Sequence, residues 1–184
     1  ETWGTHADVH YPGMNLPAGR PAKTFPSYDL LKQKGAEFGC YNGWEMPNWY
    51  RPQGFTAQSP DTYRQRHAPN GPVIAAEAEA VRSGVGLFEL SGMAKFEVEG
   101  PGAAAALDRI FANPLPGVGQ LAICHQLSER GTVEAEYTVS RLAEHLFYLV
   151  CVPRRERLNF DMLRRLIGGD SAVRLSNVTS SRGV

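Results

Sequence analysis

The stretch that most constrains the fold is residues 119–142, which contains two β-rich runs around a turn. Residues 121–127 and 133–142 each have the length and composition of a strand. Between them lies a turn cluster, Ser128-Glu129-Arg130-Gly131, whose glycine supplies the backbone freedom that a short hairpin turn needs. The sequence therefore predicts a β-hairpin here.

The second predicted strand has two faces of different character. Because side chains alternate along a strand, one mostly apolar face holds Val133, Ala135, Tyr137, Val139 and Arg141. The opposite, wholly polar face holds Glu134, Glu136, Thr138 and Ser140. A polar strand face usually only meets water, and the alternative is that Glu136 lines a pocket and binds a basic nitrogen. The pattern alone leaves both interpretations open.

Length and charge narrow the class of protein. The 184 residues suffice for one ordinary domain, or for one domain with a small appendage. A net charge of zero gives no electrostatic footprint for nucleic acid or an acidic membrane. No apolar run approaches the ~20 residues of a membrane-spanning helix. We therefore expect no nucleic-acid or membrane partner.

The cysteines indicate the compartment. Cys40, Cys124 and Cys151 are odd in number, far apart and without CxxC spacing, which argues against a disulfide framework and against a zinc site. A reducing compartment fits best, so we expect the cytoplasm or, in a eukaryote, the mitochondrial matrix. His6 and His10 have the spacing of one helical turn but lack a third ligand, so no metal site is predicted.

The first residues are expected to form an extended arm. Residues 1–26 contain four prolines and little periodicity, and they have neither the basic nor the apolar region of a signal peptide. The chain also begins without methionine, which suggests a piece of a longer protein. We expect a linker over residues 1–25 and a domain over residues 26–184.

Periodicity and turn signals predict the elements of that domain. Helices are expected at residues 28–34 with Ser27 as N-cap, and at 73–82, 103–111 and 154–167. Strands are expected at residues 36–41, 86–90, 95–99, 121–127, 133–142, 146–152 and 172–177. The segment around Trp44, Trp49 and Tyr50 is expected to be a loop anchored on the core, followed by a surface loop at 51–72.

The order of these elements predicts the fold class. From Lys95 it is βαβββαβ, which indicates an α+β fold with helices on one face of a mainly antiparallel sheet. The last helix is expected to bury Leu158, Met162, Leu163 and Leu166. The sequence has no GxGxxG after a strand, no Walker A loop and no GxSxG, so spacing alone assigns no catalytic residue.

Several blocks carry a family resemblance. Residues 41–47 (YNGWEMP), 80–93 (AVRSGVGLFELSGM) and the hairpin follow one another as in the folate-binding aminomethyltransferases, the glycine cleavage T-proteins. Residues 18–22 (AGRPA), 43–50 (GWEMPNWY), 110–119 (IFANPLPGVG) and 133–140 (VEAEYTVS) resemble more closely the dimethylglycine and sarcosine dehydrogenase family. This resemblance covers most of the chain.

The resemblance implies a function. In such enzymes an upstream FAD domain oxidises an N-methyl group to an iminium, and a T-protein-like domain presents tetrahydrofolate, which captures the one-carbon unit. The chain would supply the linker and a truncated, N-terminal part of the folate domain, with an FAD domain of the same parent chain as partner. Folate and an N-methyl amino acid would be its small-molecule partners, and the piece would be inactive alone. A complete free-standing aminomethyltransferase is the least favoured alternative.

The resemblance also implies site residues. Glu136 occupies the position of a family Asp that contacts the pterin and promotes transfer, which makes it the expected catalytic residue. Thr138 would lie beside the ring, and Met93 matches a methionine that packs near the folate. The chain departs from the family pattern at Ile123 (a family Tyr), Thr132 (a family Gly), Glu89 (a family Asp) and Glu136 itself. These departures motivate an alternative, a T-protein-like domain that has lost catalysis and serves as a binding or structural module.

Overall fold

The computed structural model describes residues 18–56 and 70–183. It divides into two compact units, Glu1–Leu90 and Ser91–Val184. Residues 1–17, with His6 and His10, and residues 57–69 of the expected surface loop lie outside the described residues. The expected site residues Met93, Glu136 and Thr138 all belong to the second unit.

The first unit is built on a small hairpin. Its elements are α1 (Tyr28–Gln33), β1 (Ala36–Tyr41), β2 (Trp44–Tyr50) and α2 (Gly71–Ser83). β1 and β2 pair in antiparallel fashion through a two-residue turn, in which Asn42 and Gly43 have φ of 53° and 85°. Positive φ at both central residues is the requirement of the type I′ turn that Asn-Gly favours. Half-buried Arg20 and buried Glu45 form a salt bridge beside the hairpin.

Two expectations for the first unit were wrong in part, one for the segment around Trp44 and one for the N-cap of α1. The segment around Trp44 and Trp49 is the strand β2 and not a loop, although both indoles are buried as expected of an anchor. Proline is tolerated in β2 because a bulge opposite Glu37 and Phe38 interrupts the ladder. Ser27 precedes α1 without capping it, since its hydroxyl donates to the Glu89 carboxylate.

Residues 86–90, expected to be a strand, are irregular and largely exposed. They find no partner strand among the described residues, and a run with strand composition needs a ladder to be a strand.

The second unit carries the main sheet. Its elements are β3 (Ala94–Glu99), α3 (Ala103–Ile110), β4 (Leu121–Leu127), β5 (Val133–Ala143), β6 (Leu146–Cys151), α4 (Glu156–Ile167) and β7 (Arg174–Asn177). The five strands lie in the order β4-β5-β6-β3-β7, and every neighbouring pair is antiparallel. The predicted βαβββαβ order and the α+β fold class are confirmed.

One face of this sheet forms the core with both helices. Alternate residues of β3, β5 and β6 point into it, together with one side of α3 and of α4. The largest fully buried members are Phe96, Leu107, Tyr137, Phe147, Leu149 and Leu163. The opposite face of the sheet, hereafter the outer face, carries the alternate residues, among them Ile123, His125, Glu136, Thr138, Val150 and Lys95.

Of the four residues expected to be buried on α4, Leu163 is completely buried and Met162 is half-buried, but the other two are not. Asn159, Leu163 and Ile167 face the core, whereas Leu158 and Leu166 remain 48% and 51% exposed. The two rows are neighbouring four-residue ridges of one helix, and the sequence favours the row without Asn159. The Asn159 amide nitrogen donates to the Cys151 sulfur at 3.3 Å, whereas the buried Oδ1 of the same side chain has no hydrogen-bond partner among the described residues.

Candidate functional site

The β4–β5 hairpin carries the candidate site on its outer face. In its register Cys124 pairs with Tyr137, His125 with Glu136 and Ile123 with Thr138. Cys124 and Tyr137 are completely buried, so the residues that flank them must point to the opposite side. The hairpin thus fixes Glu136 and Thr138 on the outer face by burying their neighbours.

Among the acidic side chains Glu97, Glu134 and Glu136 of the outer face, Glu136 is the most exposed. Its side chain is 63% exposed, and that of its cross-strand neighbour His125 is 34% exposed. The distance from His125 Nε2 to Glu136 Oε2 is 3.1 Å. An acid and an imidazole in hydrogen-bond contact can hold and pass a proton, which is the equipment needed to handle a basic nitrogen.

Asn113 holds the imidazole from the other side. Its Oδ1 accepts the backbone N–H of His125 at 2.8 Å and lies 3.1 Å from His125 Nδ1. The adjoining Ala112 N–H donates to the His125 carbonyl at 2.9 Å, which fastens the segment after α3 to β4. The result is a chain of three polar side chains, Asn113, His125 and Glu136, along the edge of the sheet.

Thr138 lies in a second row of the outer face. The register runs from Ile123 through Thr138 and Val150 to Lys95. Ile123 is 55% exposed and gives this row an apolar surface beside the half-buried Thr138. The site therefore combines an acid and a hydroxyl with an apolar wall, as a flat heterocycle with polar edges requires.

Met93 lies further from the hairpin. It is half-buried and directly precedes β3, two residues before Lys95, just as Glu136 stands two residues before Thr138. Both residues are therefore at the same end of the sheet, with β6 between their strands. Two strand spacings separate their backbones by about 10 Å. The structure thus brings Glu136 and Thr138 together and leaves Met93 at a distance that a ligand would have to bridge.

The β3 side of the outer face is covered. Lys95 is completely buried, and its ammonium donates to the Ser91 carbonyl. The Thr179 hydroxyl accepts the Lys95 backbone N–H at 3.0 Å, and Arg182 pairs with Glu97 at 3.0 Å. The segment after β7 therefore closes this half, which leaves the accessible part of the face over β4 and β5.

The core side of the hairpin contributes no reactive group at neutral pH. Burial raises the pKa of the Tyr137 phenol and of the Cys124 thiol. Burial likewise raises the pKa of the Cys151 thiol to about 11, against a smaller lowering by its bond from Asn159. All three groups stay protonated, so the chemistry of the hairpin lies with the outer side chains.

Neither a set of metal ligands nor a membrane-spanning helix is found among the described residues. In residues 18–56 and 70–183, no three His, Cys, Asp or Glu side chains converge as a set of metal ligands. No helix in the same described ranges is long and apolar enough to cross a bilayer.

Sequence reasoning found Glu136, Thr138 and Met93 but missed His125 and Asn113. The usable signal was the hairpin itself, since cross-strand pairing brings a residue of β4 beside each residue of β5. Counting outward from a four-residue turn at 128–131 would have paired His125 with Glu134. The ladder instead begins with Leu127 opposite Val133, and the bulge between Gln126 and Leu127 shifts the register by one further residue, so His125 pairs with Glu136.

Comparisons with known proteins identify the family of this chain. The family model described as GCVT N-terminal domain matches residues 27–184. Mouse (Mus musculus) mitochondrial dimethylglycine dehydrogenase is 32% identical over 186 aligned positions, which cover 100% of this chain and 21% of that protein. The mouse mitochondrial pyruvate dehydrogenase phosphatase regulatory subunit is 24% identical over 94% of this chain and 20% of its own length.

Among solved structures, the glycine cleavage system aminomethyltransferase T from Bartonella henselae matches with a TM-score of 0.64 and 27% identity. The match covers 86% of this chain and 38% of that one. The chain therefore spans about a fifth of the length of the curated relatives it matches.

Proposed function

Because the chain belongs to the GCVT N-terminal domain family, we propose that its hairpin forms part of a tetrahydrofolate-binding, one-carbon-transfer module. The parent protein would be a flavin-dependent dehydrogenase of an N-methylated amino acid, of the dimethylglycine or sarcosine type. Residues 1–25 would lead from an FAD domain of the same chain, and residues 26–184 would begin the folate domain. A reducing compartment, the cytoplasm or the mitochondrial matrix, would house it.

The observation that carries the proposal is the placement of Glu136. Its carboxylate stands on the accessible half of the outer face, on the hairpin that the family model includes. An exposed acid with an imidazole partner, an adjacent hydroxyl and an apolar wall fits the ring of a reduced pterin, which has polar edges and apolar faces. The remaining walls of the site would come from parts of the parent protein beyond this hairpin.

Each residue has a distinct task in this proposal. When bound, tetrahydrofolate supplies the secondary amine that takes up the one-carbon unit. Glu136 accepts a hydrogen bond from that amine and takes its proton as the new C–N bond forms. Ile123 packs against a ring face, and the Thr138 hydroxyl bonds a ring edge. Met93 contacts the folate further along the sheet, about 10 Å from the hairpin.

The first test measures tetrahydrofolate binding by the natural protein and two variants, by calorimetric titration. Glu136→Gln removes the charge at nearly constant shape, and we expect it to weaken binding by about tenfold or more, since a hydrogen bond to a charged group is lost. Glu134→Gln, the same change two residues away on β5, is the matched control and should leave the dissociation constant within about threefold. Equal affinity of wild type and Glu136→Gln would contradict the assignment.

A second candidate is a non-catalytic binding or structural module. It is favoured by Ile123 and Thr132, which replace residues of the family pattern, and by the relative whose name is that of a regulatory subunit. This candidate predicts that the natural protein neither binds tetrahydrofolate nor transfers a one-carbon unit. Saturable tetrahydrofolate binding in the same titration would exclude it.

A further inference from the structure

We infer that His125 is a positioning residue: held by Asn113, it orients the Glu136 carboxylate toward the folate amine and keeps a proton in the contact between them. This inference rests on the proposed function for its substrate. The His125 ring is hydrogen-bonded to Glu136 and Asn113, so it would act on the ligand through Glu136.

The hydrogen-bond pattern fixes the direction of the donors. Asn113 Oδ1 accepts the backbone N–H of His125 at 2.8 Å, which identifies this atom as the oxygen of the amide. The same oxygen lies 3.1 Å from His125 Nδ1, so Nδ1 must carry hydrogen and donate. Asn113 thereby selects the tautomer and fixes the plane of the imidazole.

The other side of the ring then requires a second proton. With hydrogen on Nδ1, a neutral imidazole would present a lone pair at Nε2, only 3.1 Å from Glu136 Oε2. Two lone pairs at that distance repel, whereas one proton between them makes a charge-assisted hydrogen bond. In this contact His125 Nε2 therefore donates to Glu136 Oε2, which leaves Glu136 Oε1 for the ligand.

The length of Glu136 explains why it needs such a partner. A glutamate has one more rotatable bond than an aspartate, and an exposed side chain samples several rotamers. A displacement of about 1 Å in a proton acceptor is enough to slow a transfer reaction. The bond from His125 removes this freedom, because the imidazole is itself anchored through Asn113 to β4.

The test is a set of His125 variants of the natural protein, with tetrahydrofolate affinity and the turnover of one-carbon transfer as readouts. In His125→Gln the side-chain amide can still donate to Glu136, and we expect affinity within about threefold of wild type. His125→Phe keeps the bulk without a donor, and we expect a loss of about tenfold. In a Glu136→Gln background the same His125→Phe change should cost nothing further, because its route of action is already gone.

An independent readout keeps this inference separate from the proposed function. We would record the imidazole nitrogen chemical shifts of the natural protein with isotope-labelled histidine. Glu136→Gln should move the Nε2 resonance of His125, whereas Glu134→Gln should leave it in place. If wild type bound no tetrahydrofolate, the proposed function would fail while these shifts still decided the His125–Glu136 contact.

Three results would overturn the inference. One is an Nε2 resonance that is unchanged by Glu136→Gln. Another is equal loss of affinity in His125→Gln and His125→Phe, which would indicate a packing role. The third is a His125→Phe effect of undiminished size in the Glu136→Gln background, which would show that His125 acts without Glu136.

Discussion

At the scale of single residues, the hairpin places buried, neutral side chains on one face and exposed, polar side chains on the other. Cys124 and Tyr137 lie in the core and are held in their neutral forms, because burial raises the pKa of each. Glu136 and His125, one residue along the same strands, stand in contact with water and with each other. Alternation along two strands is thus enough to place inert and reactive groups back to back.

Cys151 makes the protein sensitive to alkaline pH. Its folded-state pKa of about 11 lies above the ordinary thiol value of 9.0, so on raising the pH the unfolded chain loses this proton first. The stabilising contribution is complete below about pH 9 and is lost progressively toward about pH 11, at a total cost of about 3 kcal/mol. The free energy of unfolding, measured by urea denaturation across that range, should fall accordingly.

The matched comparison is Cys151→Ala against Cys40→Ala. Cys40, which lies half-buried in the first unit, provides the control for the loss of a thiol. Cys151→Ala should flatten the slope between about pH 9 and about pH 11, whatever it does to the stability at neutral pH. Identical slopes for the two variants would show that the Cys151 thiol titrates as it does in water.

The residues of the candidate site were predictable to different degrees. Glu136 and Thr138 follow from strand alternation and from the family resemblance, both of which are local properties of the sequence. His125 and Asn113 depend on the register of the hairpin, which a bulge at Gln126 and Leu127 shifts by one residue. A bulge is set by packing on both sides of a ladder, so counting from the turn could not find it.

At the scale of elements, α4 shows how a buried polar residue changes the orientation of a helix. The row that faces the sheet contains Asn159, because the Cys151 sulfur accepts a bond from its amide. The more apolar row with Leu158 and Leu166 therefore stays half exposed. Helix period predicted the existence of α4, but only its neighbours decide which of two adjacent ridges is buried.

The orientation of α4 can be tested with two leucines of one helix. Leu163 is completely buried in the core, so we expect Leu163→Ala to lower the free energy of unfolding by about 2–5 kcal/mol. Leu166→Ala, at a position expected to be buried from the sequence, should cost less than about 1 kcal/mol. Chemical denaturation of both variants measures the difference, and the reverse ranking would contradict the observed packing.

Strands were predicted well where their partners are close in sequence. The β4–β5 hairpin has its turn and both of its strands within one stretch, and its bounds matched the expectation within a residue. From the sequence, residues 44–50 are expected to be a loop, because the aromatic residues cluster around Pro47 and proline is disfavoured inside a strand. In the structure they form a strand, which the Asn-Gly turn pairs with β1. Residues 86–90 show the opposite error, since strand composition without a partner gives no strand.

At the scale of the whole molecule, the chain is much shorter than its relatives. It spans about a fifth of its curated relatives, and the solved aminomethyltransferase that it resembles is also much longer than the match. The second unit alone presents an acid on an open sheet face, a geometry that becomes a pocket only with further walls. Under the proposed function, catalysis would belong to the natural protein as a whole, with Glu136 as its proton acceptor.

The most direct measurement of that claim follows the one-carbon unit itself. We would oxidise dimethylglycine or sarcosine with the natural protein in the presence of saturating tetrahydrofolate, and quantify methylenetetrahydrofolate and formaldehyde. The account predicts that most of the product is methylenetetrahydrofolate in wild type and in Glu134→Gln, and that Glu136→Gln diverts it to formaldehyde. Formaldehyde as the sole product of wild type would contradict the account and favour a module that has lost its chemistry.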